Sequence, residues 1–148
     1  MKTFEEAIKF AIEREEQAIR SYGDLIEMAE APGIKTLLQE LQDEERNHKK
    51  LLLNITKEKI ESLEVKDVVD LRISDFLEEE PPGEGMSFQD LLIFAAKKEQ
   101  QAVELYSELL REAKREELKN LFEFLIQQEK SHKLKLEEEY EKHVLEED

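Results

Sequence analysis

The chain contains no cysteine among its 148 residues, and this absence removes several classes of chemistry. Disulfide bonds, thiolate metal sites and a cysteine nucleophile are excluded. An iron–sulfur or rubredoxin-type centre on this chain is excluded for the same reason. Any redox chemistry must therefore use other ligands, and its electrons must come from a separate protein.

Long apolar runs are also missing. The longest run without a polar residue extends only from Leu91 to Ala96, far short of a membrane span. The first residues lead directly into a charged amphipathic segment, so the sequence predicts no signal peptide. We expect a cytoplasmic protein that does not bind membranes.

Positive charge is scarce relative to negative charge. Lysine and arginine number 22 against 38 aspartates and glutamates, which gives a net charge of −16. A surface this acidic argues against nucleic acid and anionic membranes as partners and favours cations. The length suits a single domain with a sizeable core, which we place over residues 1–148.

Four segments show helical periodicity, over residues of about 4–30, 34–58, from 88 onward, and from 116 or 117 to about 145. Thr3 and Glu6 have the spacing of a capping box at the first helix. Residues 31–33 contain proline and glycine and predict a turn. Short turns within each pair of helices predict two antiparallel hairpins, 3–58 and 87–146.

The segment between the hairpins, 59–86, is long enough to carry the chain back along a bundle. We expect a short helix over 65–77, followed by a polar stretch with two prolines that cannot be helical. Two hairpins joined by a long crossover predict an all-α, ferritin-like antiparallel four-helix bundle.

A shift of 84 residues superimposes the most unusual positions of the two hairpins. This internal repeat pairs Glu15 with Glu99, Tyr22 with Tyr106, Glu45 with Glu129, and His48 with His132. The two glutamates of each half are 30 residues apart, so an antiparallel hairpin places them at one level. Each histidine follows a glutamate by three residues, which lets both side chains reach one ion.

The glutamates and histidines of this repeat interrupt the apolar stripes of their helices, so we predict that all six face the core. Four buried carboxylates cannot all remain ionised without compensating charge. Two divalent cations would supply it, and carboxylates with imidazoles suit iron or manganese, with zinc as a further option. The predicted metal ligands are Glu15, Glu45, His48, Glu99, Glu129 and His132.

The stretches Glu15-x-x-Ala18-x-x-x-Tyr22 and Glu99-x-x-Ala102-x-x-x-Tyr106 resemble the Glu-x-x-Ala-x-x-x-Tyr motif of rubrerythrins. With the two Glu-x-x-His pairs, the resemblance to this ferritin-like di-iron carboxylate family covers all four helices. It implies two iron ions, bridged by Glu45 and Glu129. Glu15 and Glu99 would then be terminal ligands, and each histidine would bind one metal.

The same resemblance implies that Tyr22 and Tyr106 donate hydrogen bonds to the ligand carboxylates. Ala96 stands where rubrerythrins carry a further glutamate, and the rubredoxin-like domain is missing, which implies a more symmetric centre, closer to that of bacterioferritins. Arg46 occupies the position of the bacterioferritin haem methionine, so no haem is expected.

Three functions compete at this stage. The leading hypothesis is a di-iron oxidoreductase that acts on peroxide or dioxygen, for defence against oxidative stress or to oxidise ferrous iron, with a separate electron-donor protein. The second is a protein that only binds or stores iron, and the third is a metal-free structural bundle. The oligomeric state, including a homodimer or a larger homo-oligomer, stays open.

The third histidine, His143, is expected to be exposed in an acidic tail.

Overall fold

A computed structural model describes residues 2–57, 68–69 and 85–147. The described residues form four long helices and two short strands of two residues each. In chain order the elements are β1 (Lys2–Thr3), α1 (Phe4–Met28), α2 (Pro32–Lys57), β2 (Val68–Val69), α3 (Phe88–Glu112) and α4 (Glu116–Glu147). The fold is the expected all-α four-helix bundle of two helical hairpins.

The helices of the two hairpins begin at residues related by the 84-residue repeat. Thr3 caps α1 with the predicted capping box, because its side chain accepts from the Glu6 backbone while Glu6 accepts from the Thr3 backbone. Ser87, its repeat partner, caps α3 by accepting from the Asp90 backbone. Three-residue turns then connect each pair of helices, 29–31 and 113–115.

The proline and glycine of the first turn lie inside a helix. Pro32 is the first residue of α2 and Gly33 follows it within the helix, whereas the sequence predicted a turn over 31–33. Proline suits the first position of a helix, because the N–H that it lacks would have no partner there. The turn is therefore two residues earlier than the composition indicated, at 29–31.

Most of the predicted crossover lies outside the described residues, including most of the helix expected over 65–77. Val68 and Val69 are described, and for them the expectation was wrong: they are extended. They pair antiparallel with Thr3 and Lys2, respectively. Adjacent β-branched residues favour such a conformation once another extended segment is near, and no local pattern reveals that neighbour.

The hydrophobic core consists of two clusters with a polar layer between them. One cluster contains the buried apolar residues between Phe4 and Ile12 of α1, together with Phe122 of α4. The other contains Leu25 of α1 and Leu136 of α4. On every helix the predicted ligand positions fall between residues of one cluster and residues of the other. None of the helices within 2–57 and 85–147 is apolar enough over its length to cross a membrane.

Candidate metal centre

All six predicted ligand residues come together in the polar layer. Each is buried, with at most 2% of its surface exposed. Every helix contributes at the same level because the 30-residue spacing within each hairpin is retained. The residues are Glu15 on α1, Glu45 and His48 on α2, Glu99 on α3, and Glu129 and His132 on α4.

The His48 imidazole turns its Nδ1 atom toward three carboxylates from three helices. Nδ1 lies 2.8 Å from Oε1 of Glu129, 3.4 Å from Oε2 of Glu45 and 3.6 Å from Oε2 of Glu15. Two of these contacts cross between helices, so the bundle itself, and not only the i,i+3 spacing on α2, builds this cluster.

The His132 imidazole mirrors this arrangement. Its Nδ1 atom lies 2.6 Å from Oε1 of Glu45 and 3.5 Å from Oε2 of Glu99. The two imidazole rings are stacked, with centroids 5.7 Å apart and an interplanar angle of 14°. The twofold repeat of the sequence is therefore visible in the geometry of the site.

Two overlapping groups of side chains have ligand atoms close enough to hold a metal ion. One group is Glu15, Glu45, His48 and Glu129, and the other is Glu45, Glu99, Glu129 and His132. Within each group the ligand atoms lie within 4.8 Å of one another. Glu45 and Glu129 belong to both groups, which is the placement that two bridging carboxylates require.

Two side chains that the sequence did not single out contact the far side of the histidines. Nε2 of His132 donates to the Glu44 carboxylate, and Nε2 of His48 lies 3.3 Å from Oε1 of Gln128. Glu44 and Gln128 are themselves related by the 84-residue shift, and each reaches a histidine of the other hairpin. The available signal was their position, four residues before the histidine of their own helix.

The two predicted tyrosines differ in the structure. The Tyr106 hydroxyl donates to Oε1 of Glu15, across the two hairpins. The Tyr22 hydroxyl is buried close to the same carboxylates but makes no hydrogen bond to any described residue. The hydrogen bond expected at Tyr106 is therefore present, whereas the one expected at Tyr22 is not.

Burial and mutual repulsion dominate the electrostatics of the shared carboxylates. Burial raises the pKa of Glu45 well above its usual range, and repulsion from Glu15 and Glu99 raises it further. The pKa of Glu129 is raised for the same reasons, burial first and neighbouring carboxylates second. Without cations, this site holds protons that two-metal coordination would have to displace.

The remaining shifts show how the carboxylates and imidazoles compensate one another. Burial acts to raise the pKa of Glu15, but the close polar side chains of Glu45 and His48 outweigh it and the pKa is lowered. Burial acts to lower the pKa of His48, but the carboxylates of Glu129 and Glu15 outweigh it and raise this pKa to about 10. A cationic His48 imidazole would thus offset part of the negative charge of these carboxylates.

The donor set fits two divalent cations on a further observation. Five buried ligand atoms make no hydrogen bond of acceptable geometry, although ionic neighbours surround them: Oε2 of Glu15, Oε2 of Glu45, Nδ1 of His48, Oε2 of Glu99 and Oε1 of Glu129. Buried polar atoms in proteins almost always have partners. These five atoms belong to residues of the two overlapping ligand groups, and metal ions would satisfy them.

A cavity of about 540 Å³ connects the polar layer with the surface between α1 and α3. Glu15, Glu45, Glu99 and Glu129 line it, together with Tyr22. Across the same pair of helices, Arg14 donates to the Lys98 carbonyl at 3.3 Å and to Oε1 of Gln101 at 3.0 Å. The cavity gives a small molecule a path to the carboxylates.

His143 does not take part in this centre. Its ring packs against Phe88, with ring centroids 4.9 Å apart, and its exposure is intermediate. The expectation that it would be exposed was therefore wrong, because α4 extends far enough to bring it against the start of α3. His143 remains useful as a histidine outside the site.

Comparison with known proteins agrees with this geometry. The sequence model of the rubrerythrin family matches residues 90–148, which include Glu99, Glu129 and His132. A hypothetical protein from Pyrococcus furiosus has a similar structure, with a TM-score of 0.72 and 27% sequence identity; the match covers 94% of this chain and 89% of that chain. A search of the curated proteins found no significant match. The second hairpin is therefore similar in sequence to the rubrerythrin family, and the four-helix fold is similar to that of the Pyrococcus furiosus protein.

Proposed function

We propose that this protein binds two iron ions between its hairpins and acts as an oxidoreductase on peroxide or dioxygen. The observation that carries the proposal is the pair of overlapping ligand groups that share Glu45 and Glu129. Each group offers three carboxylates and one imidazole, a hard and borderline donor set that suits iron or manganese. Zinc can bind the same types of ligand, but it cannot change its oxidation state.

The six ligand residues would have different roles in holding the two ions. Glu45 and Glu129 would bridge the two ions, while Glu15 with His48 and Glu99 with His132 would complete one position each. Two ferrous ions held there would supply two electrons, which suffice to cleave the O–O bond of peroxide or to reduce dioxygen to the level of peroxide. The chain contains no cysteine, so the electrons that restore the ferrous state must come from a separate donor protein.

The protein supplies an access route and a hydrogen-bond donor for the oxidant. The cavity between α1 and α3 admits a molecule the size of peroxide to the carboxylate layer. Tyr22 lines this cavity, and its hydroxyl makes no hydrogen bond to the described residues. Burial first, and the nearby carboxylates second, raise the pKa of Tyr22, so it keeps its proton and can donate a hydrogen bond to an entering oxygen molecule.

The test is anaerobic loading with ferrous iron, followed by one equivalent of hydrogen peroxide. We expect two iron ions per chain, and two ferrous ions oxidised per peroxide consumed, measured by elemental analysis and Mössbauer spectroscopy. Repeating the experiment with dioxygen identifies the preferred oxidant. Iron that binds at two per chain but stays ferrous with both oxidants would show that the redox role is wrong and that the chain only binds metal.

Matched variants tie the reaction to this site. Glu45→Ala and His132→Ala should lose iron and the reaction with peroxide. Glu139→Gln and His143→Gln should retain both, since Glu139 is also buried but pairs with Lys142 at 3.3 Å outside the site. Iron content unchanged by the first pair of variants would refute the assignment. A molecular mass in solution that corresponds to a closed cage would favour storage instead.

A further inference from the structure

The two metal positions have the same kinds of ligands but different surroundings. Each position has three glutamates and one histidine, and two of the glutamates are shared. Differences between the positions must therefore arise from the residues that contact the ligands. Such contacts are known to change metal affinity by about 10- to 100-fold.

The first difference lies behind the histidines. His132 donates its Nε2 proton to a carboxylate, Glu44, whereas His48 faces a neutral amide, Gln128, at 3.3 Å. Hydrogen bonds to an ionised acceptor are roughly twice as strong as those to a neutral one. The carboxylate therefore draws the proton more strongly and leaves more electron density on Nδ1 of His132, the atom that faces the site.

The second difference lies on the terminal carboxylates. Tyr106 donates a hydrogen bond to Glu15, which withdraws charge from a ligand of the His48 position. The repeat partner of that contact would run from Tyr22 to Glu99, but the Tyr22 hydroxyl makes no hydrogen bond to the described residues. Glu99, in the His132 position, thus lacks the corresponding tyrosine donor. Both differences act in the same direction.

We propose that the two metal positions are unequal, that the His132 position fills first, and that the Glu44/Gln128 pair sets this order. This rests on the proposed metal centre but not on its reaction with peroxide. Glu44 and Gln128 are positioning residues, because each acts through a histidine. One acidic and one amide residue at repeat-related places convert a symmetric ligand set into an ordered pair of sites.

The test follows the histidines directly during a titration with Zn²⁺, which is diamagnetic. With only three histidines in the chain, the imidazole ¹⁵N signals can be assigned individually. In the unmodified protein we expect Nδ1 of His132 to shift with the first equivalent and Nδ1 of His48 with the second. The separation of the two dissociation constants should be about 10-fold or more. His143 should shift with neither.

Exchange of the two positioning residues is the decisive comparison. Glu44→Gln should weaken the first binding step by about 10-fold or more and bring the two steps together. Gln128→Glu should bring them together by strengthening the second step. The double variant Glu44→Gln/Gln128→Glu should reverse the order, so that His48 shifts first. The separation should be smaller than in the unmodified protein, because the Tyr106 contact still weakens the His48 position.

Each outcome has a defined meaning. Parallel shifts of both histidines in the unmodified protein, or an order that Glu44→Gln does not alter, would overturn this inference while leaving the metal centre intact. No shift of either histidine would overturn the metal centre and this inference together. Ordered filling in a protein that does not react with peroxide would support the inference and reject only the redox role.

Discussion

The two hairpins have similar backbones and the same predicted metal ligands, but they differ in the residues that contact those ligands. Helices α1 and α3 begin and end in register with the 84-residue shift, and α2 and α4 begin in register. Each hairpin supplies two carboxylates and one imidazole. The residues that contact the ligands differ. Glu44 of the first hairpin corresponds to Gln128 of the second, and Tyr106 makes a hydrogen bond that its repeat partner Tyr22 does not make with any described residue. The two halves of the repeat therefore have identical metal-ligand residues, whereas the residues that contact those ligands differ between the halves.

We expect the largest effect, a loss of bound iron, when a carboxylate shared by both metal positions is removed from either hairpin. Glu45→Ala and Glu129→Ala each remove a carboxylate that both metal positions share, so each should lower the bound iron from about two ions per chain to none. Elemental analysis after anaerobic loading measures this. Glu99→Ala removes a residue of one position only and should retain about one ion.

The equivalence would be broken if Glu45→Ala and Glu129→Ala gave different metal contents. Glu139→Gln serves as the matched control, because this buried carboxylate lies outside both ligand groups. Full metal content in all of these variants would mean that the carboxylate layer is not the binding site.

The metal-free protein should lose stability as the pH rises from 5 to 8. The pKa values of Glu45 and Glu129 are raised in the folded state, so their protonation favours folding. This contribution is fully present below about pH 4.5 and is lost as the pH rises from there through the raised pKa values. His48 acts in the same direction: with its pKa raised to about 10, its contribution declines between about pH 6.5 and 10. Each proton involved changes the free energy of unfolding by at most about 1.4 kcal/mol per pH unit.

Urea denaturation in the presence of a chelator, at several pH values, measures this slope. Glu45→Gln and Glu129→Gln should each flatten it to a similar degree, as repeat partners, because an amide cannot titrate. Bound metal should reverse the slope, since the ligands must be deprotonated to coordinate. A metal-free protein that is more stable at pH 8 than at pH 5 would contradict these directions.

The tyrosines give a smaller and purely asymmetric effect. Tyr106→Phe leaves Glu15 without a buried hydrogen bond and should lower the free energy of unfolding of the metal-free protein by about 1–3 kcal/mol. Tyr22→Phe removes a hydroxyl that bonds to no described residue and should have little effect or a slightly stabilising one. Urea denaturation of the two variants side by side makes each the control of the other. Equal losses would show that the two tyrosines are equivalent after all.

Much of this architecture could be predicted from the sequence because it depends on local and periodic signals. The capping box at Thr3 and Glu6 requires only residues three apart, and the buried level of Glu15 follows from its place in an apolar stripe. The two equal 30-residue spacings then bring both halves of the ligand set to one height. These are properties of single helices and short turns, which the sequence specifies directly.

The features that were not predicted depend on contacts between distant segments. Glu44 and Gln128 look like ordinary polar surface positions until the opposite hairpin places a histidine beside each. The strand at Val68–Val69 forms because Lys2–Thr3 is near, and the contact of His143 with Phe88 depends on how far α4 extends along α3. A single sequence carries the residues for such contacts but not their pairing.

The helix caps provide the smallest effect and the most local test of the comparison. Thr3 forms a reciprocal capping box with Glu6, whereas at Ser87 only the contact from the Asp90 backbone to the serine side chain is present. Thr3→Ala and Ser87→Ala should each lower the free energy of unfolding by about 1 kcal/mol, because each leaves a backbone N–H of the first turn without its partner. The Thr3 loss should be the larger of the two, since the capping box of α1 is lost with it. Chemical denaturation measures both, with metal content unchanged as the control; a larger loss at Ser87 would mean that the difference between the hairpins does not extend to their helix ends.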